Sequence, residues 1–376
     1  MVKYPLAMDN LGEDEKNAAK AVIDSGFYTM GKKVREFEER IADMFGVKDA
    51  IMVNSGSSAN LLLWATHKEL YGLEDDEPIS VPSVAWSTTY SPIIELGGSI
   101  HLEEVDKWGH SSTASKDVCF NVDLLGKANW ACRSRPNDLK YIDGCENFNP
   151  EIFKGRDYKA ATLSFFYSHH INTLEGGMLL IPSDKQFANI ARAKRAHGWT
   201  RDLPENNGLY YKTGNPFKDS FSFVTHGYCL RPGEINAAIG LVQLDRWNET
   251  KQIYQSNASY FKKKMKELEM ECPDWINYHN SIPFALPTMV KDRESFAKFL
   301  AEHDIDSRPL LTGLWNRQLA VSHDTSKYTN SARFMTKEEL QLDNEGIMFG
   351  NYGQDLTKQI DHLGETILKW KEQQNA

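Results

Sequence analysis

Apolar residues recur at helical spacing near the start of the chain. Residues 33–45 place their apolar side chains on one helical face, and Gly46 follows where a helix commonly ends. Residues 12–24 show a shorter amphipathic pattern that stops at a Ser-Gly turn. The apolar run at 50–53 is too short for a helix and predicts a strand. We therefore expect two helices, then a strand that leads into a third helical stretch after residue 60.

Further along, short apolar runs alternate with helical stretches. This alternation predicts a mainly parallel sheet covered by helices on both faces, with strands at 79–81, 99–102, 118–122, 140–142 and 178–181. From about residue 245 the pattern changes to a long helix over 246–268 and then to shorter units. We predict an α/β fold with a large domain at 1–245 and a smaller α+β domain at 246–376.

Length and charge narrow the class of protein. A chain of 376 residues, 41% hydrophobic and 25% charged, is ordinary for a globular protein with a sizeable core. A net charge of -9 argues against nucleic acid or a membrane surface as the main partner. The N-terminus shows no basic start followed by an apolar run, and no stretch approaches bilayer-spanning length. We expect a cytoplasmic location.

The cysteines are dispersed, odd in number and without a CxxC pair. This spacing predicts neither a disulfide framework nor a structural zinc site, and we expect no bound metal. The positions are Cys119, Cys132, Cys145, Cys229 and Cys272.

Three segments carry candidate chemistry, although each has an ordinary explanation. Residues 55–58 (Ser-Gly-Ser-Ser) follow a strand and open a helix, which suits a phosphate or a plain helix cap. Asp143 ends a predicted strand, where open α/β sheets bind ligands, or it caps a helix. His169 and His170 precede a Glu-Gly-Gly turn at 175–177, and adjacent histidines point in different directions, so they need not form a metal pair.

In this order the segments resemble those of fold-type-I pyridoxal-phosphate enzymes, the aspartate-aminotransferase-like fold. More narrowly, the chain is similar to the family of sugar aminotransferases and dehydratases that act on nucleotide-linked keto sugars. The resemblance covers nearly the whole chain and rests on motifs at 25–31, 53–60, 86–89, 227–228, 231–232, 238–240 and 308–309.

One position separates the two activities of that family. Its aminotransferases carry a lysine five residues after the serine that corresponds to Ser164, and here that position is His169. The same replacement marks the 3-dehydratases. The chain resembles in particular those acting on GDP-4-keto-6-deoxymannose, which share the Ser-His-His-Ile segment and the stretch at 195–201. Histidine cannot hold the cofactor covalently as lysine does, but it can still move a proton. The resemblance implies an unlinked cofactor resting as pyridoxamine 5'-phosphate.

The resemblance also implies roles by position. Asp143 would pair with the ring nitrogen of the cofactor, Trp86 would stack on the ring, and Glu146 would lie beside it. The phosphate would be held by Gly56, Ser57 and Ser164. The substrate would be contacted by His197, Arg201 and Arg308. His197 alone is equally consistent with a packed histidine.

The expected reaction removes the C-3 hydroxyl of a nucleotide-linked 4-keto-6-deoxy sugar, with L-glutamate as amino donor. His169 is the expected base and also a candidate to protonate the departing hydroxyl. An iron–sulfur dehydrase is not expected, since the thiols are too dispersed for a cluster. An aminotransferase would lack its lysine proton shuttle. A sugar linked to CDP, UDP or dTDP, and a silent homologue that only binds a sugar nucleotide, stay open as alternatives.

Two departures from the family pattern concern assembly and specificity. Family members have an asparagine after the Gly-Tyr pair at 227–228 that reaches the partner subunit's phosphate, whereas this chain has Cys229, a poorer donor. The pattern still implies a homodimer with shared active sites. The stretch at 106–119 is shorter than in the family, which bears on nucleotide or sugar preference.

Overall fold

The computed structural model describes residues 3–131 and 139–375, so Cys132 lies outside the described residues. The helices are α1 (Glu13–Ser25), α2 (Lys32–Phe45), α3 (Gly56–Tyr71), α4 (Ser87–Glu95), α5 (Pro150–Lys154), α6 (Lys185–Arg195), α7 (Pro216–Asp219), α8 (Glu234–Asp245), α9 (Trp247–Glu267), α10 (Arg293–Glu302), α11 (Leu319–His323), α12 (Lys337–Glu345) and α13 (Thr357–Asn375). Single turns of 3-10 helix span Leu124–Gly126, Asp274–Asn277, Trp315–Arg317 and Thr325–Lys327.

The strands form two sheets. They are β1 (Asp49–Val53), β2 (Ile79–Pro82), β3 (Ile100–Glu103), β4 (Val118–Val122), β5 (Leu139–Asp143), β6 (Ala160–Ser164), β7 (Gly177–Ile181), β8 (Ala285–Met289), β9 (Arg308–Pro309), β10 (Tyr328–Thr329) and β11 (Gly346–Gly350). The larger sheet has the order β1-β7-β6-β5-β4-β2-β3-β10, and the smaller has the order β8-β11-β9.

The larger sheet is mainly parallel, as the sequence predicts. Strands β6, β5, β4, β2, β3 and β10 run parallel to one another, and β7 is antiparallel to both β1 and β6. The α/β fold class is therefore confirmed. Each predicted strand is present within a residue or two, whereas β6 was not predicted. Its sequence, Ala-Ala-Thr-Leu-Ser, is mostly small residues and gives little β signal.

The first helices follow the predicted pattern closely. In α2 the predicted apolar face is buried at Val34, Phe37, Ile41 and Phe45, and Gly46 ends the helix with a left-handed φ of 66°. Helix α1 ends in the same way at Gly26. Both helices lie against α8, and α2 also packs against β1 of the larger sheet.

The C-terminal part of the chain contributes to both sheets. The smaller sheet is antiparallel, with β11 between β8 and β9. The two residues of β10 instead pair in parallel with β3 at the edge of the larger sheet. Helix α9 matches the predicted long helix at 246–268 within a residue at each end. The division into domains at residue 245 stays a prediction.

Among the residues described, no helix combines the length and apolar character needed to cross a lipid bilayer.

Cys145, Cys229 and Cys272 are free thiols, whereas Cys119 is disulfide-bonded. The sequence did not predict this bond, because scattered cysteines carry no signal about which pairs meet in the fold.

Candidate active site

A cavity of about 300 Å³ opens where the carboxyl ends of β5 and β6 meet the start of α3. This edge of a parallel sheet is where α/β folds bind ligands. The cavity brings together eight residues that the sequence singled out: Gly56, Ser57, Trp86, Asp143, Glu146, Ser164, His169 and Arg308. Glu175 of the Glu-Gly-Gly turn lines it as well.

The start of α3 forms a cradle on one side of this cavity. Ser55 caps the helix by accepting a hydrogen bond from the Ser58 N–H at 3.0 Å. A Cβ added at Gly56 would lie 2.6 Å from Cβ of Ser164, so only glycine lets the helix approach the end of β6 this closely. The Ser57 hydroxyl is hydrogen-bonded to that of Thr88 at 2.8 Å. Free helix N–H groups flanked by hydroxyls suit an anion such as phosphate.

Asp143 is a buried carboxylate at the floor of the cavity. Its Oδ2 accepts hydrogen bonds from Asn60 Nδ2 at 3.0 Å and from Thr89 Oγ1 at 2.7 Å. Its Oδ1 accepts one from the Cys145 N–H at 3.1 Å. All three donors are neutral, and no ion pair to Asp143 occurs within the described part of the chain. A buried carboxylate without a cation is costly, so this group suits a ligand that carries a positive charge.

His169 faces the cavity from the loop between β6 and β7. Its ring lies edge-on to Phe284, with centroids 4.9 Å apart. Its Nδ1 is buried and has no hydrogen-bond partner among the described residues. Burial lowers the pKa of His169 to about 4, and the Arg308 cation acts in the same direction. The imidazole is therefore neutral at physiological pH and able to accept a proton.

The neighbouring His170 points away from the cavity, as expected for adjacent side chains. It is buried beside Tyr254, with ring centroids 4.7 Å apart, and burial lowers its pKa to about 3. The two histidines do not form a metal pair. Within residues 3–131 and 139–375, no three histidine, cysteine or acidic side chains lie close enough together to hold a metal ion.

Glu146 and Arg308 both line this cavity, and no ion pair joins them in the described part of the chain. Burial raises the pKa of Glu146 to about 7, although the Arg308 cation opposes this shift. The Oε2 of Glu146 accepts a hydrogen bond from the Leu125 N–H at 2.8 Å. The Nε of Arg308 is buried and has no partner among the described residues. Both side chains therefore have unused polar capacity in the cavity.

Trp86 and Gly177 show what two further motifs, at 86–89 and 175–177, contribute to the site. Trp86 lines the cavity, and about half of its surface (52%) is exposed, which leaves a ring face free for stacking. Gly177 pairs with both Val53 and Ser164, and a Cβ there would lie 2.3 Å from the Ser55 carbonyl oxygen. The glycine lets β7 run beneath the cradle.

Three predicted site residues lie outside the cavity. Cys229 is exposed and forms an isolated bridge with Ala196, directly before the exposed His197. Arg201 is exposed and stacks over Trp199, 4.1 Å from the ring centroid. Within one chain, Cys229, His197 and Arg201 form a separate surface, which we call the 197–229 surface.

Three contributors to the site received no role from the sequence. Asn60 and Thr89 hold Asp143, and Phe284 packs against His169. The sequence spacing could have indicated Asn60, because Asn60 lies one helical turn after Gly56 and so shares its face of α3. Phe284 lies in a loop more than a hundred residues from His169, and nothing local marks it.

Comparison with known proteins identifies the family. The model of the DegT/DnrJ/EryC1/StrS aminotransferase family matches residues 9–113 and 154–345. The chain belongs to this family. Within it, the chain is 33% identical to the GDP-4-keto-6-deoxy-D-mannose 3-dehydratase of Yersinia pseudotuberculosis, over 98% of this chain and 99% of that protein.

Two solved structures are similar to this chain over nearly its whole length. The Escherichia coli GDP-4-keto-6-deoxy-D-mannose-3-dehydratase with bound hydrated PLP has a TM-score of 0.89 and 31% identity, covering 98% of this chain and 100% of that one. A GDP-4-keto-6-deoxymannose-3-dehydratase with a trapped PLP-glutamate geminal diamine has a TM-score of 0.87 and 31% identity, covering 97% and 100%. The aminotransferase-like fold predicted from the motifs is thereby confirmed.

Proposed function

We propose that this protein removes the C-3 hydroxyl of GDP-4-keto-6-deoxymannose. It uses pyridoxal or pyridoxamine 5'-phosphate as cofactor and L-glutamate as amino donor. The observation that carries the proposal is His169, which lines the cavity at the position where aminotransferases of the family carry lysine. The full-length similarity to 3-dehydratases of this substrate supports the same reading.

The residues of the cavity fit such a cofactor. The cradle of Gly56, Ser57 and Ser164 would hold its phosphate. Asp143, which has only neutral partners in the described chain, would pair with a protonated ring nitrogen. The exposed face of Trp86 would cover the ring, and Glu146 would lie beside it. When bound, the cofactor would supply an amine for the C-4 ketone and a conjugated ring that accepts electrons from a broken C–H bond.

His169 supplies the proton transfer in this proposal. Its neutral imidazole accepts a proton from the carbon that carries the amine, while Phe284 packs edge-on against the ring. Because an imidazole forms no stable imine, the cofactor stays unlinked to the protein between turnovers. Arg308, with its unpartnered Nε, is available to an anionic or hydroxyl group of a substrate.

We further propose a homodimer in which the 197–229 surface of one subunit completes the cavity of its partner. His197, Arg201 and Cys229 are exposed and lie outside the cavity of their own chain. In the dimer, His197 and Arg201 would contact the sugar nucleotide and Cys229 would approach the phosphate. We also propose that the enzyme works in the cytoplasm, where both glutamate and nucleotide-linked sugars occur.

The proposal is tested by incubating the purified protein with GDP-4-keto-6-deoxymannose, cofactor and L-glutamate. We expect 2-oxoglutarate, ammonia and a sugar nucleotide lighter by one oxygen atom in the mass spectrum, because glutamate is oxidised while C-3 is reduced. The matching 4-keto sugars linked to CDP, UDP and dTDP are tested in parallel as alternative substrates. If only one of these sugars is turned over, that sugar replaces GDP-4-keto-6-deoxymannose as the substrate of the enzyme. Turnover of none, with no change in cofactor absorbance on adding glutamate, would indicate a silent binding protein.

A further inference from the structure

Besides His169, the cavity contains a carboxyl group whose pKa lies near neutral pH. Glu146 lines the cavity together with His169, and burial brings its pKa to about 7. Its Oε2 is engaged by the Leu125 N–H, whereas within the described chain its Oε1 has no hydrogen-bond partner. A role beside the cofactor ring does not require a carboxyl whose pKa is raised in this way.

One strained peptide holds Glu146 and the wall behind His169 in place. Leu125 has a left-handed φ of 56°, an unusual conformation for leucine. Its N–H donates to Glu146, and its carbonyl accepts the Phe284 N–H at 3.0 Å. Phe284 in turn packs edge-on against His169. Strain of this kind persists where the surrounding structure requires it and is concentrated at functional sites.

We propose that Glu146 is the general acid that protonates the departing C-3 hydroxyl. The inference rests on the proposed dehydration. His169 takes a proton from the carbon that carries the amine, and the electrons of that C–H bond pass through the conjugated system to C-3. The C–O bond breaks, its electron pair leaves with oxygen, and the Glu146 carboxyl supplies the proton, so that water departs. No external oxidant or reductant takes part in this step.

The surroundings of Glu146 suit this transfer. After the step Glu146 is a carboxylate and His169 an imidazolium, and the Arg308 cation lines the same cavity and lowers the pKa of both groups. No ion pair joins Glu146 and Arg308 within the described residues, so the carboxyl is not held ionised before the reaction. The Arg308 cation favours the carboxylate as it forms. Proton return from His169 to Glu146, directly or through water, restores the starting state.

Changing the leaving group distinguishes acid catalysis by Glu146 from a purely structural role. We compare single-turnover elimination by the wild type and Glu146→Gln, both loaded with pyridoxamine phosphate, on the 3-hydroxy substrate and its 3-fluoro counterpart. Fluoride leaves without needing a proton. Glu146→Gln should slow hydroxyl loss by roughly 10²- to 10⁴-fold, the usual range for general acid catalysis, and fluoride loss by less than about tenfold. Glu151→Gln, an exposed carboxyl in α5, is the matched control.

The pH profile gives a second readout. Hydroxyl loss by the wild type should fall as the pH rises above about 7, because the acid must be protonated, and fluoride loss should not fall in this way. Equal slowing of both substrates by Glu146→Gln would overturn the proposal and leave Glu146 as a positioning residue. If the wild type eliminates neither group, the proposed dehydration itself fails, which is a separate outcome.

Discussion

The approach of α3 to β6 at Gly56 makes a sharp prediction about cofactor binding. In Gly56→Ala, the new Cβ would lie 2.6 Å from Ser164 Cβ, 2.9 Å from Cys145 Sγ and 3.0 Å from Ser164 Oγ. Carbon atoms in contact normally stay about 3.5–4.0 Å apart, so the start of the helix must move outward by roughly 0.5–1 Å. Overpacking of this size costs about 1–3 kcal/mol of stability.

The same shift displaces the helix N–H groups that would bind the phosphate. A hydrogen bond to a charged group contributes about 1.5–3 kcal/mol, and about 1.4 kcal/mol corresponds to tenfold in affinity. Loss of even one such bond should therefore raise the cofactor Kd at least about tenfold. The assay is titration with pyridoxamine phosphate, followed by quenching of tryptophan fluorescence, since Trp86 lines the cavity.

Gly155→Ala is the matched control for this substitution. Gly155 ends α5 with φ of -90°, and a Cβ there would meet only the Ile152 carbonyl oxygen at 3.8 Å, an ordinary contact. We expect its cofactor Kd to stay within about twofold of the wild type. If Gly56→Ala loses stability but binds the cofactor as tightly as the wild type, the start of α3 is not the phosphate site.

Two further predictions concern the histidine position and the subunit interface. Borohydride treatment of the wild type should leave no cofactor covalently attached, whereas His169→Lys should become labelled and lose most of its dehydration activity, as peptide mass spectrometry and the product assay would reveal; a labelled wild-type lysine peptide would contradict the unlinked cofactor. Cys229→Asn should tighten cofactor binding about two- to tenfold in a dimer, because an amide donates a hydrogen bond worth roughly 0.5–1.5 kcal/mol that a thiol does not; an active monomer in light scattering, or an unchanged Kd, would remove Cys229 from the partner's site.

Much of the site could be predicted because the chemistry lies at strand ends. Asp143 ends a strand that the apolar pattern predicts, and the fold class brings the carboxyl end of that strand to the ligand-binding edge of the sheet. The cradle at Gly56 follows the predicted strand β1, at the turn into α3. Ser164 ends β6, which the pattern did not predict, so only the resemblance to the family assigned Ser164 to the site. The structure places all three in one cavity.

What could not be predicted depends on contacts between distant segments. β10 pairs with β3 across more than two hundred residues, and two residues carry too little pattern to reveal that partner. Phe284 reaches His169 from the C-terminal half for the same reason. The pKa of Glu146 near 7 also depends on burial by segments far apart in the chain, which a Glu in a sequence does not disclose.

The central claim is that His169 in place of lysine makes this enzyme a dehydratase and not an aminotransferase. The most direct test follows the nitrogen of ¹⁵N-labelled L-glutamate during turnover of GDP-4-keto-6-deoxymannose. The account predicts that the label appears in free ammonia, in equal amount to the 3-deoxy sugar, while the sugar nucleotide contains no ¹⁵N. Label retained in a 4-amino sugar that keeps its C-3 oxygen would contradict the account.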